Sequence, residues 1–242
     1  MGDTMRIFVF ILLFWVCSAQ ALTRSSIESY VQNAPEIREH SQIDSVVKYI
    51  RKKYTADEEV AYAVLAWIVY NVDYDDYYYR QADKDNKTRR NLSAKIPEQG
   101  DIIKTRLGVC KDIAALYVEM LALAKIKAEV VYGCYAPKAD KKGCLANPHA
   151  WNAVWINKQW ELADPTFAMG QARAMQEVST KNSYNRAVKK RQRRSSDVYK
   201  ARTDRSIDAT WFMTEPSKMA EEHQPEDKKW YLIKKTDRKR KG

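Results

Sequence analysis

Apolar residues along the chain fall into a few dense blocks separated by long polar stretches. Ile43, Val46, Val47 and Ile50 recur at helical spacing, so residues from Leu22 to about Lys53 are predicted to form polar helical segments with one buried stripe. Thr55-Ala-Asp-Glu58 has the form of a capping box. It predicts a helix to about Val72 whose inner face holds Val60, Val64, Trp67, Ile68 and Tyr70. After Asp73-Tyr-Asp-Asp-Tyr-Tyr-Tyr79 a charged polar loop runs to Gly100. Ile113, Leu116, Tyr117, Met120 and Ala124 then share one side of a helix expected from about Cys110 to Lys125. Ala128 to Tyr135 is Val-rich and bounded by turn residues, the pattern of a buried strand. Ala150 to Ile156 and Gln159 to Ala163 read as a hairpin turning at Asn157-Lys158. Asp164-Pro165-Thr166 closes its second strand, since proline has no N–H for a central ladder. Residues 171–208 show no clear period and few large apolar side chains, and are expected to be an exposed loop or disordered. Trp211-Phe212 and Trp230-Tyr-Leu-Ile233 return to the core, and there is no internal repeat.

The N-terminal block differs from the others. Arg6 precedes an unbroken apolar run, Ile7 to Val16, and small residues follow at Ala19 and Ala21, the order of a secretory signal peptide cleaved before Leu22. The run is about half of the ~20 residues that a spanning helix needs, so a membrane anchor is the weaker reading. Residues 1–21 are therefore set apart as a signal peptide, 22–233 as one domain with a basic insert at 171–208, and 234–242 as a basic tail. The expected location is secreted or periplasmic. Without Cys17, three cysteines remain: Cys134 and Cys144 lie close enough in sequence for a small disulfide, which leaves Cys110 unpaired.

Composition adds little until the charge is located. With 45% apolar and 30% charged residues, the 242-residue chain has the balance of an ordinary globular protein. Its net charge of +11 suggests a nucleic-acid binder, but residues 171–208 and 234–242 contribute +7 and +5, leaving −1 for everything else. The charge belongs to two appendages, and no nucleic acid is expected as a partner.

Cys110, His149 and Asp164 are the polar residues that stand out in apolar surroundings. Cys110 follows Gly108-Val109 where a loop becomes a helix, and unpaired amides at a helix start favour a thiolate. His149 opens a strand and can take the thiol proton and return it to a leaving amine. If Asn157-Lys158 is the turn, Ile156 faces Gln159 and His149 faces Thr166, so Asp164 is a diagonal neighbour of His149 on the same face. Diagonal partners lie about 7–8 Å apart at Cα, a gap that side chains close. A carboxylate there would orient the imidazole and stabilise its protonated form. A turn one residue longer or shorter would undo the link. A zinc site of Cys110, Cys134, Cys144 and His149 is disfavoured because no pair has the short C-x-x-C spacing, and no cofactor or metal is expected.

Four blocks carry a resemblance: Thr-Arg-Leu-Gly-Val-Cys-Lys-Asp at 105–112, Val-Val-Tyr-Gly at 130–133, His-Ala-Trp-Asn-Ala-Val at 149–154 and Trp-Glu-Leu-Ala-Asp-Pro-Thr at 160–166. In order and spacing they are similar to the core of the transglutaminase-like superfamily. Trp67-Ile-Val-Tyr70 upstream, and Trp211-Phe-Met-Thr-Glu-Pro216 with Gln224-Pro-Glu-Asp-Lys-Lys-Trp230 downstream, resemble its kyphoscoliosis-peptidase-like branch. The resemblance implies a papain-like α+β fold, with a nucleophile-bearing helix packed on an antiparallel sheet and a helical N-terminal part. It implies Cys110 as nucleophile, His149 as base and Asp164 as orienting carboxylate. The implied reaction is amide-bond hydrolysis or transamidation of a protein or peptide through a thioester. The Cys110 amide is the expected first oxyanion donor; Trp67 and Tyr74 are candidates for the second, or simply core residues.

Phe167-Ala-Met-Gly170 and the insert that follows depart from the family pattern, which leaves the cleft and its substrate open. His223, in a matched block but outside the motif positions, reads as structural or exposed. The alternative to an enzyme is a non-catalytic module on this fold that binds a protein or cell-envelope partner. The basic insert and tail, with Lys189-Lys-Arg-Gln-Arg-Arg194, suit an anionic surface.

Overall fold

The computed structural model describes residues 24–38, 42–75, 102–135, 147–170 and 205–233. The expected leader, the tail, Cys144 and most of the basic insert lie outside them. Two short helices, α1 (24–33) and α2 (Pro35–Arg38), lead into α3 (Ile43–Lys53). The predicted stripe of Ile43, Val46, Val47 and Ile50 is the buried face of α3, and Asp44 in its first turn and Arg51, Lys52 and Lys53 in its last complement the helix dipole.

α4 (Asp57–Asn71) is the central helix. Three acids fill its first turn, and every residue from Val60 to Asn71 is buried. A helix apolar on all sides belongs inside a core rather than at its surface. The expected capping box is not formed, for Ala56 occupies the cap position without a side-chain bond. Arg51 instead grips this junction from α3, donating to the Thr55 carbonyl at 3.2 Å and to Asp57 Oδ1 at 2.7 Å.

A two-residue parallel pair then sets up the nucleophile loop. β1 (Asp73–Tyr74) lies beside β2 (Leu107–Gly108), which follows the short α5 (Ile102–Thr105). The Asp73 and Asp75 amides donate to the carbonyls of Arg106 and Gly108 at 2.9 and 3.0 Å. Glycine at 108 lets this loop pack closely, since a Cβ would come within 2.5 Å of Ile102 Cδ1 and oblige that side chain to move. α6 (Cys110–Leu123) starts immediately afterwards. It ends two residues before the sequence pattern suggests, because Lys125 takes a left-handed φ of 60° and the Ile126 amide donates back to the Leu121 carbonyl. That is a Schellman ending with lysine in the place usually held by glycine, so it carries no glycine signal.

The main sheet has the order β6-β5-β4-β3-β7 and is antiparallel throughout. β3 (Ala128–Tyr135) and β5 (Gln159–Ala163) have their predicted bounds, while β4 (Pro148–Ile156) starts two residues early and includes His149. The hairpin register is the predicted one, Ile156 opposite Gln159, with Asn157 and Lys158 both at positive φ as a two-residue primed turn requires. Pairing stops at Ala163, however, so Thr166 does not face His149. Asp164 caps α7 (Pro165–Ala168), with proline at a first-turn position where no N–H is needed. β6 (Phe212–Thr214), α8 (Pro216–Glu222) and β7 (His223–Pro225) complete the fold, with single 3-10 turns at Ala209–Trp211 and Lys228–Tyr231.

Alternation along β4 divides the core. Ala150, Val154 and Ile156 join the cluster made with α3, α4 and α6, and Asn152 Nδ2 donates to the Ala114 carbonyl of α6 at 2.9 Å. Trp151 and Ala153 face the other way into a smaller cluster with Val131, Leu162, Met219 and Trp230. The C-terminal end of the basic insert is not the solvated loop expected of it: Arg205 donates to the Val69 and Val72 carbonyls and pairs with Asp73, and Ile207 packs on the core. The α4 terminus offers carbonyls and a carboxylate that the charge of an arginine satisfies.

Candidate functional site

Cys110 is the first residue of α6 and is 1% exposed. The Asp112 carboxylate accepts from the Val109 amide at 2.9 Å, which pins the turn into the helix. First-turn amides have no intrahelical acceptor, and the Cys110 N–H is one of them. Among the described residues Cys110 is a free thiol, whereas Cys134 is disulfide-bonded.

His149 lies at the start of β4, opposite Gly133 of β3. Its ring stacks on Trp151 and meets Phe167 edge-on, and the Cys110 sulfur lies near enough to raise its affinity for a proton. Its Nε2 lies 2.6 Å from Asp164 Oδ2. That contact leaves Nδ1 as the nitrogen available to the sulfur. Asp164 is fully buried, its Oδ1 accepting from the Phe167 amide at 3.0 Å. The structure places His149 and Asp164 in contact, but the ladder ends at Ala163 and Asp164 reaches His149 from the cap of α7 and not as a strand diagonal.

His223 was not foreseen as part of this group. It is 1% exposed, and its Nε2 lies 2.8 Å from the same Asp164 Oδ2. β7 is three places from β5 in the sheet. A flat sheet would separate those strands by about 14 Å with side chains standing perpendicular, so the contact requires the sheet to curl toward this face. No short-range pattern encodes that curl. The available signal was that His223 is one of only three histidines in the chain.

Electrostatics separate the two imidazoles. Burial alone would push His149 down, but the Asp164 carboxylate and the Cys110 sulfur pull it up to about 10. Burial disfavours the Asp164 carboxylate, yet His149 first and then His223 hold it well below the usual carboxylate range. His223 moves the other way: burial, reinforced by the charge of His149, lowers it despite its bond to Asp164. The donor atoms of His149, Asp164 and His223 lie within 4.8 Å of one another, a spacing one metal ion could share. They already satisfy each other by hydrogen bonds, and an ion there would displace both.

The two candidates for a second oxyanion donor flank the nucleophile loop. Tyr74 is opposite Gly108, and the Trp67 ring lies under the Arg106 guanidinium at 4.6 Å, a cation–π contact that gives Trp67 a packing role.

A helix-start cysteine packed against a curled antiparallel sheet that carries a histidine and an aspartate defines the papain-like class of α+β fold. The family model described as the transglutaminase-like superfamily matches residues 44–165, and the chain belongs to that superfamily. Among curated proteins it is similar to kyphoscoliosis peptidase of Homo sapiens and of Mus musculus, each 23% identical over 83% and 84% of this chain. The chain spans about a quarter of the length of those relatives, 26% in each case. Among solved structures, the periplasmic domain of TgpA from Pseudomonas aeruginosa matches with a TM-score of 0.40 and 18% identity, covering 64% of this chain and 52% of that one. A second solved structure, from Cytophaga hutchinsonii, matches with a TM-score of 0.33 and 23% identity, covering 53% of this chain and 39% of that one. Among the described residues, no helix is long and apolar enough to cross a membrane.

Proposed function

We propose that this protein is an exported transglutaminase-like thiol hydrolase acting on amide bonds of a protein or peptide. The observation that carries this reading is the hydrogen bond of His149 to Asp164 beside a free Cys110 thiol, whose sulfur supports the charge on His149. The Cys110 sulfur attacks the amide carbonyl, forming the C–S bond of a tetrahedral intermediate whose oxyanion faces the Cys110 amide. His149, kept protonated by Asp164 and the sulfur, gives that proton to the leaving amine as the C–N bond breaks. The resulting thioester is released by water, giving a carboxylic acid, or by an amine, giving a new amide. In either case the acceptor's proton passes to His149 and the sulfur leaves. Export is supported by the charged-then-apolar N-terminal block and by the disulfide on Cys134, a bond favoured in oxidising compartments.

Activity-based profiling of the wild type against Cys110→Ala, in fluid containing candidate proteins, tests this. Cleaved or cross-linked products that require Cys110 are expected, together with a mass adduct on Cys110 matching the acyl fragment. Identical product sets from the two proteins would reject the reading. One observation favours a binding module instead: Cys110 is 1% exposed, so the cleft is closed at its nucleophile. Under that alternative the Cys110→Ala protein captures the same partners as the wild type and neither alters them.

A further inference from the structure

Asp164 accepts hydrogen bonds from three directions, and only one of them is the candidate base. Oδ1 takes the Phe167 amide, while Oδ2 is shared by two imidazole nitrogens, His149 Nε2 and His223 Nε2. The second imidazole comes from the far edge of the sheet, where β7 pairs with β3 through Tyr135 opposite His223 and Gly133 opposite Pro225. Gly133 makes this docking possible, because a Cβ there would meet the Gln224 carbonyl, Trp151 Cη2 and Pro225 Cα.

Aromatic side chains surround His223. Rings of Phe167, Trp151, Trp211 and Tyr135 pack around it at centroid distances of 4.9, 5.0, 5.2 and 6.3 Å. A buried carboxylate commonly completes its hydrogen bonds with water. Here His223 fills that place inside an aromatic wall.

Its other nitrogen defines how it does so. Among the described residues, His223 Nδ1 is buried with no hydrogen-bond partner. A neutral ring protonated at Nε2 leaves only a lone pair unsatisfied there, whereas a charged ring would leave a buried N–H without an acceptor, the costlier defect. His223 is thus suited to donate to Asp164 without competing for the proton that His149 carries.

We propose that His223 is a positioning residue: as a neutral second donor to Asp164 Oδ2, it fixes the plane of the carboxylate against His149 and so holds the His149 ring in the orientation whose Nδ1 faces Cys110. This rests on His149 being the base of the proposed function. The opposite directions in which burial and neighbouring charge move the two histidines agree with that division of roles.

The test compares two substitutions that separate donation from packing. His223→Phe keeps a ring among the aromatic neighbours and removes the donor; His223→Gln loses the ring and restores an amide N–H near the former Nε2. Iodoacetamide alkylation of Cys110 at pH 7 should slow about tenfold in His223→Phe, the size expected for one lost hydrogen bond to a charged group, and stay close to wild type in His223→Gln. Alkylation preserved in the Phe variant and lost in the Gln variant would overturn the proposal in favour of packing alone. Nitrogen-15 histidine NMR reads the same geometry without any reaction. At pH 7 wild-type His149 should be protonated at both nitrogens and His223 at Nε2 alone, and the hydrogen-bonded Nε2–H signal of His149 should shift in His223→Phe. Should the Phe variant fail to fold, the wild-type spectrum decides, for a His223 protonated at Nδ1 alone overturns the proposal. If wild-type Cys110 alkylates no faster than an unfolded thiol, the proposed function fails, while the tautomer measurement still judges His223.

Discussion

At Asp164, one side chain serves three purposes: it caps α7 through Oδ1, and it meets His149 and His223 through Oδ2. Asp164→Asn keeps the shape but exchanges a charge for an amide that presents one oxygen and one nitrogen. The exchange removes the charge that holds His149 protonated, and alkylation or turnover at Cys110 should fall by roughly 10²–10⁴-fold at neutral pH. A rate within experimental error of wild type would separate Asp164 from the chemistry. The same group predicts how stability varies with pH. His149 is raised from 6.5 to about 10 in the folded state, so its contribution is complete below pH 6.5 and is lost as pH rises toward about 10. Asp164 is lowered from 3.8, so its contribution is present above that value and is lost as pH falls below it. His223, also lowered, is most favourable above pH 6.5 and works against the fold in acid. Thermal melts across pH should therefore show an alkaline decline that disappears in His149→Ala; an unchanged alkaline limb in that variant would contradict the assignment.

Among the elements, β7 depends on a residue in another strand. A methyl group at position 133 would meet the Trp151 ring and the β7 backbone at once. Gly133→Ala should cost about 1–3 kcal/mol through overpacking and should withdraw His223 from Asp164. Denaturant melts read the first effect and the Nε2–H signal of His149 reads the second. A variant with wild-type stability and an unchanged signal would show that β7 can shift without consequence. The elements also show what a sequence reading can reach. The turn and register of the β4–β5 hairpin are legible because Asn157-Lys158 fixes a two-residue turn and alternation fixes the faces, whereas the end of pairing at Ala163, which lets Asp164 meet His149 from the cap of α7, is not. The start of α4 was misread because Arg51, two turns back in α3, replaced the local cap that Thr55 and Glu58 suggested. His223 was missed for a related reason: its partners come from α7, β3, β4 and the 3-10 turn before β6, and only a curled sheet assembles them. Short-range patterns carry turns and faces, but they do not carry curl.

For the whole molecule, the charge and the candidate site are separate features. The net +11 resides in two stretches that contain none of Cys110, His149, Asp164 or His223. Arg205, at the end of the insert, spends its charge internally on Asp73 and the α4 terminus. If those residues and the tail form a tether, retention on anionic vesicles should weaken as salt screens it and disappear when 234–242 is removed and Lys189 to Arg194 is neutralised. Retention that survives both changes would reject a tether. Neither change should alter reactivity at Cys110, since Cys110, His149 and Asp164 all lie outside both stretches. The most direct measurement of the central claim is the rate of iodoacetamide alkylation of Cys110 at pH 7 in folded wild type, in His149→Ala, and in the unfolded chain. Folded wild-type protein is expected to react faster than the unfolded thiol, and the advantage is expected to vanish in His149→Ala. Equal rates in all three would contradict the account.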